Sequence, residues 1–145
     1  MTLQERIAAP SAMLTRVGVV ASDKLMPLVR EIDEGLYPED IMRAFGEAGA
    51  YGIHVDPQMN MGEAIQANAR AAEECISTAF CMWCQNALAW YIASSDNEAL
   101  KATLLPKVAA GNALGGTGLS NPMKTFFGIE KMRLKGTRTD NGYTV

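Results

Sequence analysis

The sequence predicts a mainly α protein: an N-terminal helical domain over residues 1–111, followed over 112–145 by the first strands of an incomplete β-domain. Three observations carry this. Apolar residues recur at helical spacing through most of the chain up to Gly111. A glycine-rich, non-periodic run, "ALGGTGLSNPMK", begins just beyond it. Close to Val145, "EKMRLKGTRT" and "YTV" flank "DNG", the pattern of a strand, a tight turn and a returning strand.

Leu14, Val17, Ala21, Leu25, Leu28 and Ile32 make the first helical stripe, which Pro27 is expected to kink or split. A second helix is expected from Pro38, which suits a first helical position. Glu39 and Asp40 complement its dipole, Ile41, Phe45 and Ala48 form its stripe, and Gly49 and Gly52 end it. The segment "YGIHVDPQMN" reads as a connection broken at Asp56-Pro57. Asn60 and Glu63 have the spacing of a capping pair for a third helix, with Met61, Ile65, Ala69, Ala72, Ile76 and Ala79 expected on its apolar face. "FCMWCQNALAW" comes next and is apolar all round, as for a helix buried in a bundle. Ser95 and Glu98 repeat the capping spacing before "DNEALKATLLPKVAAGN", which Gly111 closes. The return strand has three residues, ending at Val145, so the sheet is begun and not completed, and the chain reads as the N-terminal part of something longer.

Composition narrows the function classes. With 145 residues, 48% of them apolar, the chain can bury a real core. A net charge of −3 with scattered Lys and Arg offers no basic face to nucleic acid. No apolar run approaches the roughly 20 residues that span a bilayer, so no membrane partner is expected. The first ten residues carry neither a signal nor a transit pattern, so the expected location is cytoplasmic. Three cysteines, an odd number, are expected to stay reduced.

Cys81-x-x-Cys84 lies within a helical pattern, whereas a redox dithiol needs a helix N-terminus to lower its thiol pKa. As a zinc site it lacks a second paired motif, since His54 is the sole histidine, so no metal is expected and the thiols read as packing. His54 reads as an ordinary loop histidine beside Asp56 more readily than as a general base. Residues 111–116 imitate the start of a phosphate-binding loop, but Thr117-Gly118 replaces its Lys-Ser/Thr, and no third glycine completes a dinucleotide fingerprint.

The order of these pieces resembles the acyl-CoA dehydrogenase family. "LLPKVAAGNALGGTGLSNP" is similar to the family's Leu-Pro-x-x-x-x-Gly helix end followed by a strand ending in Thr-Glu-Pro, with Ser120 for Thr and Asn121 for Glu. "EAGAYGIHVD" resembles its Glu-x-Gly-x-x-Gly segment, Gln85-Asn86-Ala87-Leu88 its His-Asn-Ser-Leu stretch, and "TDNGYTV" its Asp-Gly-Tyr hairpin. The resemblance implies an FAD enzyme with a helical N-terminal domain, a small β-domain and a C-terminal four-helix domain, a homo-oligomer (tetramer or dimer) when complete. Such enzymes carry out α,β-dehydrogenation of an acyl thioester. It places the flavin contacts on Gly118, Leu119 and Ser120, and it makes Met82, Trp83 and Gln85 candidate substrate-pocket residues, with Trp83 or Trp90 as steric limits. The catalytic glutamate is expected beyond Val145, so none of these residues is carried over as catalytic. One departure bears on substrate: where the family continues Pro-Gly-x-Gly-Ser-Asp, this chain has Pro122-Met123-Lys124-Thr125-Phe126-Phe127. Phenylalanine cannot accept the serine's hydrogen bonds. That motivates an alternative, a flavin-dependent monooxygenase of the same fold. A non-enzymatic helical interaction domain is the third reading.

Overall fold

A computed structural model of the chain describes residues 11–55 and 60–144. The expected mainly α class is what it shows, with helices followed by one two-stranded hairpin. The Asp56-Pro57 breaker and the last residue of the return strand lie outside the described residues.

Helix α1 (Ala12–Val20) is capped by Ser11, whose hydroxyl accepts the Leu14 N–H. Pro27 has the expected effect on the chain beyond α1. A widened π turn (Ala21–Leu25) and a tight 3-10 turn (Met26–Leu28) lead into α2 (Val29–Asp33), because a residue without an N–H cannot sustain the α ladder. The stripe survives the change of pitch: Leu14, Val17, Ala21, Leu25 and Ile32 are all buried. Helix α3 (Glu39–Glu47) starts after Pro38 and buries Ile41, Met42, Phe45 and, just past its end, Ala48. Tyr51 is wholly buried behind it and donates its hydroxyl proton to the Met42 carbonyl at 2.8 Å. A short 3-10 turn (Gly52–His54) comes after it.

Asn60 caps α4 (Met61–Glu74) by accepting the Glu63 N–H, as its spacing predicts. The expected buried face is corrected. Ala64, Ala67 and Ala71 go inward, while Met61, Ile65 and Ile76 are exposed. Small side chains let α4 lie close to α1 and to the next helix, and the larger apolar residues are turned outward by that choice. One extended residue, Cys75, separates α4 from α5 (Ile76–Ala93), and its sulfur accepts the Thr78 N–H. The expectation that α5 is buried on all sides is also corrected: Ala79, Met82, Gln85, Asn86, Ala89 and Ile92 are buried, but Phe80, Trp83, Trp90 and Tyr91 stand exposed.

Helix α6 (Glu98–Ala109) is capped by Asn97, which accepts the Leu100 N–H at 3.0 Å, and not by Ser95, which accepts the Asn97 N–H instead. Asn97 is equally good at capping and lies one residue before the helix, so it takes the role. Gly111 closes the helix at φ 75°, a conformation that disfavours a side chain. It does so against α3. A Cβ on Gly46 would stand 2.5 Å from the Gly111 Cα, and Arg43 donates to the carbonyls of Gly111 and Asn112. Two apolar clusters result, a large one among α1 to α5 and a smaller one of Ala89, Ile92 and Val108 between α5 and α6.

Past Gly111 the expected first strand is replaced. Residues 112–119 form no ladder, and α7 (Ser120–Phe126) occupies the segment with Pro122 in its first turn, where a missing N–H costs nothing. The Asn121 amide then does locally what a partner strand would do, donating to the Lys131 carbonyl and accepting the Arg133 N–H. The expected long strand over 130–139 is confined to β1 (Thr137–Thr139), antiparallel to β2 (Gly142–Thr144), with Thr139 opposite Gly142 and the turn on Asp140-Asn141. No helix of the described residues is long and apolar enough to cross a membrane.

Candidate functional site

Residues of α4 and α5, buried and exposed, line a groove. Met61, Ala64, Ile65 and Asn68 recur at i, i+3, i+4 and i+7 on α4, and Trp83, Asn86, Ala87, Trp90 and Tyr91 repeat the same spacing on α5. His54, from the 3-10 turn, completes a cavity of about 420 Å³, within the size range of small-molecule sites. Its lining is overwhelmingly apolar and aromatic, and no Asp, Glu, Lys or Arg among the described residues contributes to it. The His54 ring lies nearly parallel to that of Trp90, centroids 6.1 Å apart, and Trp83 stacks on Phe80 at 5.8 Å.

Three of the lining residues also hold a polar atom shielded from the groove. Nδ1 of His54, Oδ1 of Asn68 and Oδ1 of Asn86 are buried without a hydrogen-bond partner among the described residues. Partial burial lowers the His54 pKa below its ordinary 6.5, so the imidazole is neutral at pH 7. A buried polar atom left unpaired is costly in a folded chain.

Of the three expected pocket residues, the structure places only Trp83 on this groove. Met82 is fully buried in the main core. Gln85 is also fully buried, and its amide is committed elsewhere. Nε2 donates to the carbonyls of Val108 (3.0 Å) and Ala113 (2.9 Å), and Oε1 accepts the Gly115 N–H (2.9 Å). It therefore ties the end of α6 and the glycine-rich segment to α5. Those glycines approach the protein's own helix: a Cβ on Gly115 would meet the Leu88 side chain at 2.6 Å, and one on Gly116 the Cys84 Cβ at 3.7 Å.

Gly118, Leu119 and Ser120 lie together where the glycine-rich segment enters α7, all exposed. Nothing stands within 4 Å of a Cβ position on Gly118. The Leu119 N–H is engaged by the Thr117 hydroxyl at 3.1 Å, whereas the Ser120 hydroxyl has no partner among the described residues. Phe126 is 85% exposed at the far end of the same helix.

The cysteines behave as packing groups. Cys81 and Cys84 sit in the middle of α5, remote from a helix N-terminus, and burial pushes the Cys81 thiol up, with a smaller contribution from its cysteine neighbours. The grouping of His54 with Asn68 and Asn86 is not an expectation of the sequence reading. The sequence carries one signal of it: an asparagine stands inside each of the two i, i+3, i+4, i+7 sets that face each other.

A family model described as acyl-CoA dehydrogenase, N-terminal domain, matches residues 10–112. No curated protein and no solved structure matches the chain.

Proposed function

Since the chain belongs to the acyl-CoA dehydrogenase family, we propose that it supplies the N-terminal helical domain, up to Gly111, and the start of the middle domain of an FAD-dependent oxidoreductase. In the complete protein that enzyme oxidises an acyl thioester across its α and β carbons. The observation that carries the reading is the family match over residues 10–112, and the apolar groove between α4 and α5 supports it by offering room for an acyl group. Trp83 and Trp90, both in the groove's lining, limit how long or broad that group can be. Met82 and Gln85 act at one remove. Met82 fills the main core, and Gln85 holds the glycine-rich segment in place.

FAD supplies the hydride acceptor in such an enzyme. The residues proposed to meet it are Gly118, Leu119 and Ser120. Gly118 leaves open space, the Ser120 hydroxyl is uncommitted among the described residues, and all three are accessible, so the segment fits a flavin's polar edge. The chain's own contribution there is orientation. Gln85, through Gly115, and Arg43, through Gly111 and Asn112, anchor the stretch of backbone that carries these residues. The base that removes the α-proton is assigned to a glutamate beyond Val145.

The test is the protein extended in its reading frame past Val145: bound flavin measured by absorbance, and oxidation of a panel of acyl-CoA chain lengths. Flavin together with acyl-CoA oxidation supports the proposal. A colourless protein that takes up no FAD refutes it and favours a helical interaction domain. The exposed Phe126, at the place of the family's serine, favours one second reading, a monooxygenase that uses reduced flavin and oxygen. Oxygen consumption dependent on reduced flavin, without acyl-CoA oxidation, would select it.

A further inference from the structure

From the place of the chain's one histidine in the groove wall, we propose that the α4–α5 groove is proton-gated: it takes an uncharged apolar guest while His54 is neutral and releases it when His54 is protonated. This rests on the reading that the groove receives the acyl part of the substrate. His54 closes the 3-10 turn beside the groove, and its ring lies against Trp90 with centroids 6.1 Å apart and planes 16° from parallel. Both rings line the cavity, and His54 is only half-buried, so it still has water to lose. A guest seated there withdraws that water. A neutral imidazole gives it up at little cost, whereas an imidazolium loses hydration that an apolar lining does not replace. Guest and proton therefore compete, and by linkage each weakens the other by the same factor.

The elements around His54 supply no counter-charge. The 3-10 turn packs on α4 and α5. Helix α5 carries no Asp, Glu, Lys or Arg, and of its titratable groups, Cys81, Cys84 and Tyr91, only Tyr91 lines the groove. On α4, Glu63 lines a separate cleft with Arg16 and Ile53, and Arg70, Glu73 and Glu74 line another against α1. Glu98, Lys101 and Lys107 of α6 do not reach the lining. An imidazolium donates from both ring nitrogens, yet the shielded Nδ1 has no acceptor among the described residues. Burial lowers the His54 pKa from its ordinary 6.5, which is the same preference for the neutral ring. Histidine is also the side chain whose ordinary pKa falls between pH 5 and 8, so the groove's charge changes there through His54.

Both tryptophans of the chain line this cavity, so the midpoint of a fluorescence titration reads its occupancy. The experiment titrates the full 145-residue chain with S-ethyl hexanethioate, an acyl thioester that bears no charged or titratable group. Between about pH 7.5 and about pH 5 the dissociation constant is expected to rise about fivefold. His54→Phe should remove that dependence, and Asp56→Asn, at the carboxyl two positions on, should keep it. His54 is the only histidine, so its Cε1–H resonance is assigned without a variant, and adding the thioester should lower the pKa read from it. That measurement decides the matter if His54→Phe does not fold. No binding at pH 7.5, binding independent of pH, a dependence kept in folded His54→Phe or lost in Asp56→Asn, or a His54 titration that the thioester leaves unmoved would overturn the proposal. The flavin content of the extended protein tests the broader reading, and because these titrations contain no flavin the two can fail separately.

Discussion

Replacing Gln85 by Leu removes an amide that makes three hydrogen bonds to backbone and leaves a side chain of similar size in the same space. The three losses are unequal. The Val108 carbonyl keeps its bond from the Gly111 N–H at 3.1 Å, so it stays satisfied. The Ala113 carbonyl, on a half-buried residue, and the Gly115 N–H lose the partner that Gln85 provides. At about 1 kcal/mol for each net hydrogen bond, plus desolvation of the stranded groups, the loss is about 3 to 4 kcal/mol, and burying an apolar Leu returns about 1 kcal/mol of it. The net change of about 2 to 3 kcal/mol corresponds to a fall in Tm of about 6 to 9 °C for a chain of this size. Thermal melts followed by circular dichroism read the stability, and amide hydrogen exchange at Gly115 reads the local release of the glycine-rich segment. A Tm within about 2 °C of the wild type, which corresponds to less than about 1 kcal/mol, together with unchanged protection at Gly115, would refute the anchoring role and return Gln85 to a place in the pocket.

Three further outcomes are expected. Gly46→Ala should destabilise by about 2 to 3 kcal/mol, because the new methyl meets the Gly111 Cα at 2.5 Å and the Ala110 carbonyl at 2.6 Å, both backbone. Gly18→Ala, with nothing within 4 Å in α1, should instead stabilise by about 0.5 to 1 kcal/mol, and urea midpoints compare the pair. Tyr51→Phe should cost about 1 kcal/mol by removing the donor to the Met42 carbonyl, with the ring and its packing retained. Burial holds that phenol far above its usual pKa, so the loss should be the same from pH 6 to about pH 9. Burial also lowers the His54 pKa in the folded chain, so below the unfolded value of 6.5 the unfolded chain binds more protons. His54's contribution is complete above 6.5 and is lost as pH falls through the depressed folded value. Since His54 is the only histidine, His54→Phe should flatten the Tm profile between pH 7 and about pH 5. An unchanged slope in that variant would assign the effect to carboxylates.

Much of the helical scaffold is legible in the residues themselves, because its signals are local. Asn60 caps its helix through its own side chain, Pro27 breaks the α ladder where it stands, and Gly111 takes a left-handed conformation that ends α6. The face of a helix that turns inward is a different kind of fact. Met61, Ile65 and Ile76 are more apolar than Ala64, Ala67 and Ala71, yet the alanines are buried, since how closely two helices can approach depends on the partner as well as on the stripe. The same holds at the C-terminal side, where Asn121 substitutes for a partner strand and an expected strand becomes coil and a short helix.

The helical class, several of the helix boundaries and the family all reside in the amino-acid order, since they depend on periodicity, caps and an ordered set of short motifs that need no distant contact. Only the packed chain makes Gln85 an anchor, brings the glycines at 115 and 116 against α5, and gathers His54, Asn68 and Asn86 around one apolar groove. A side chain's role is set by which polar groups it must satisfy and which surfaces it must face, and in these three cases those neighbours lie tens of positions away along the chain.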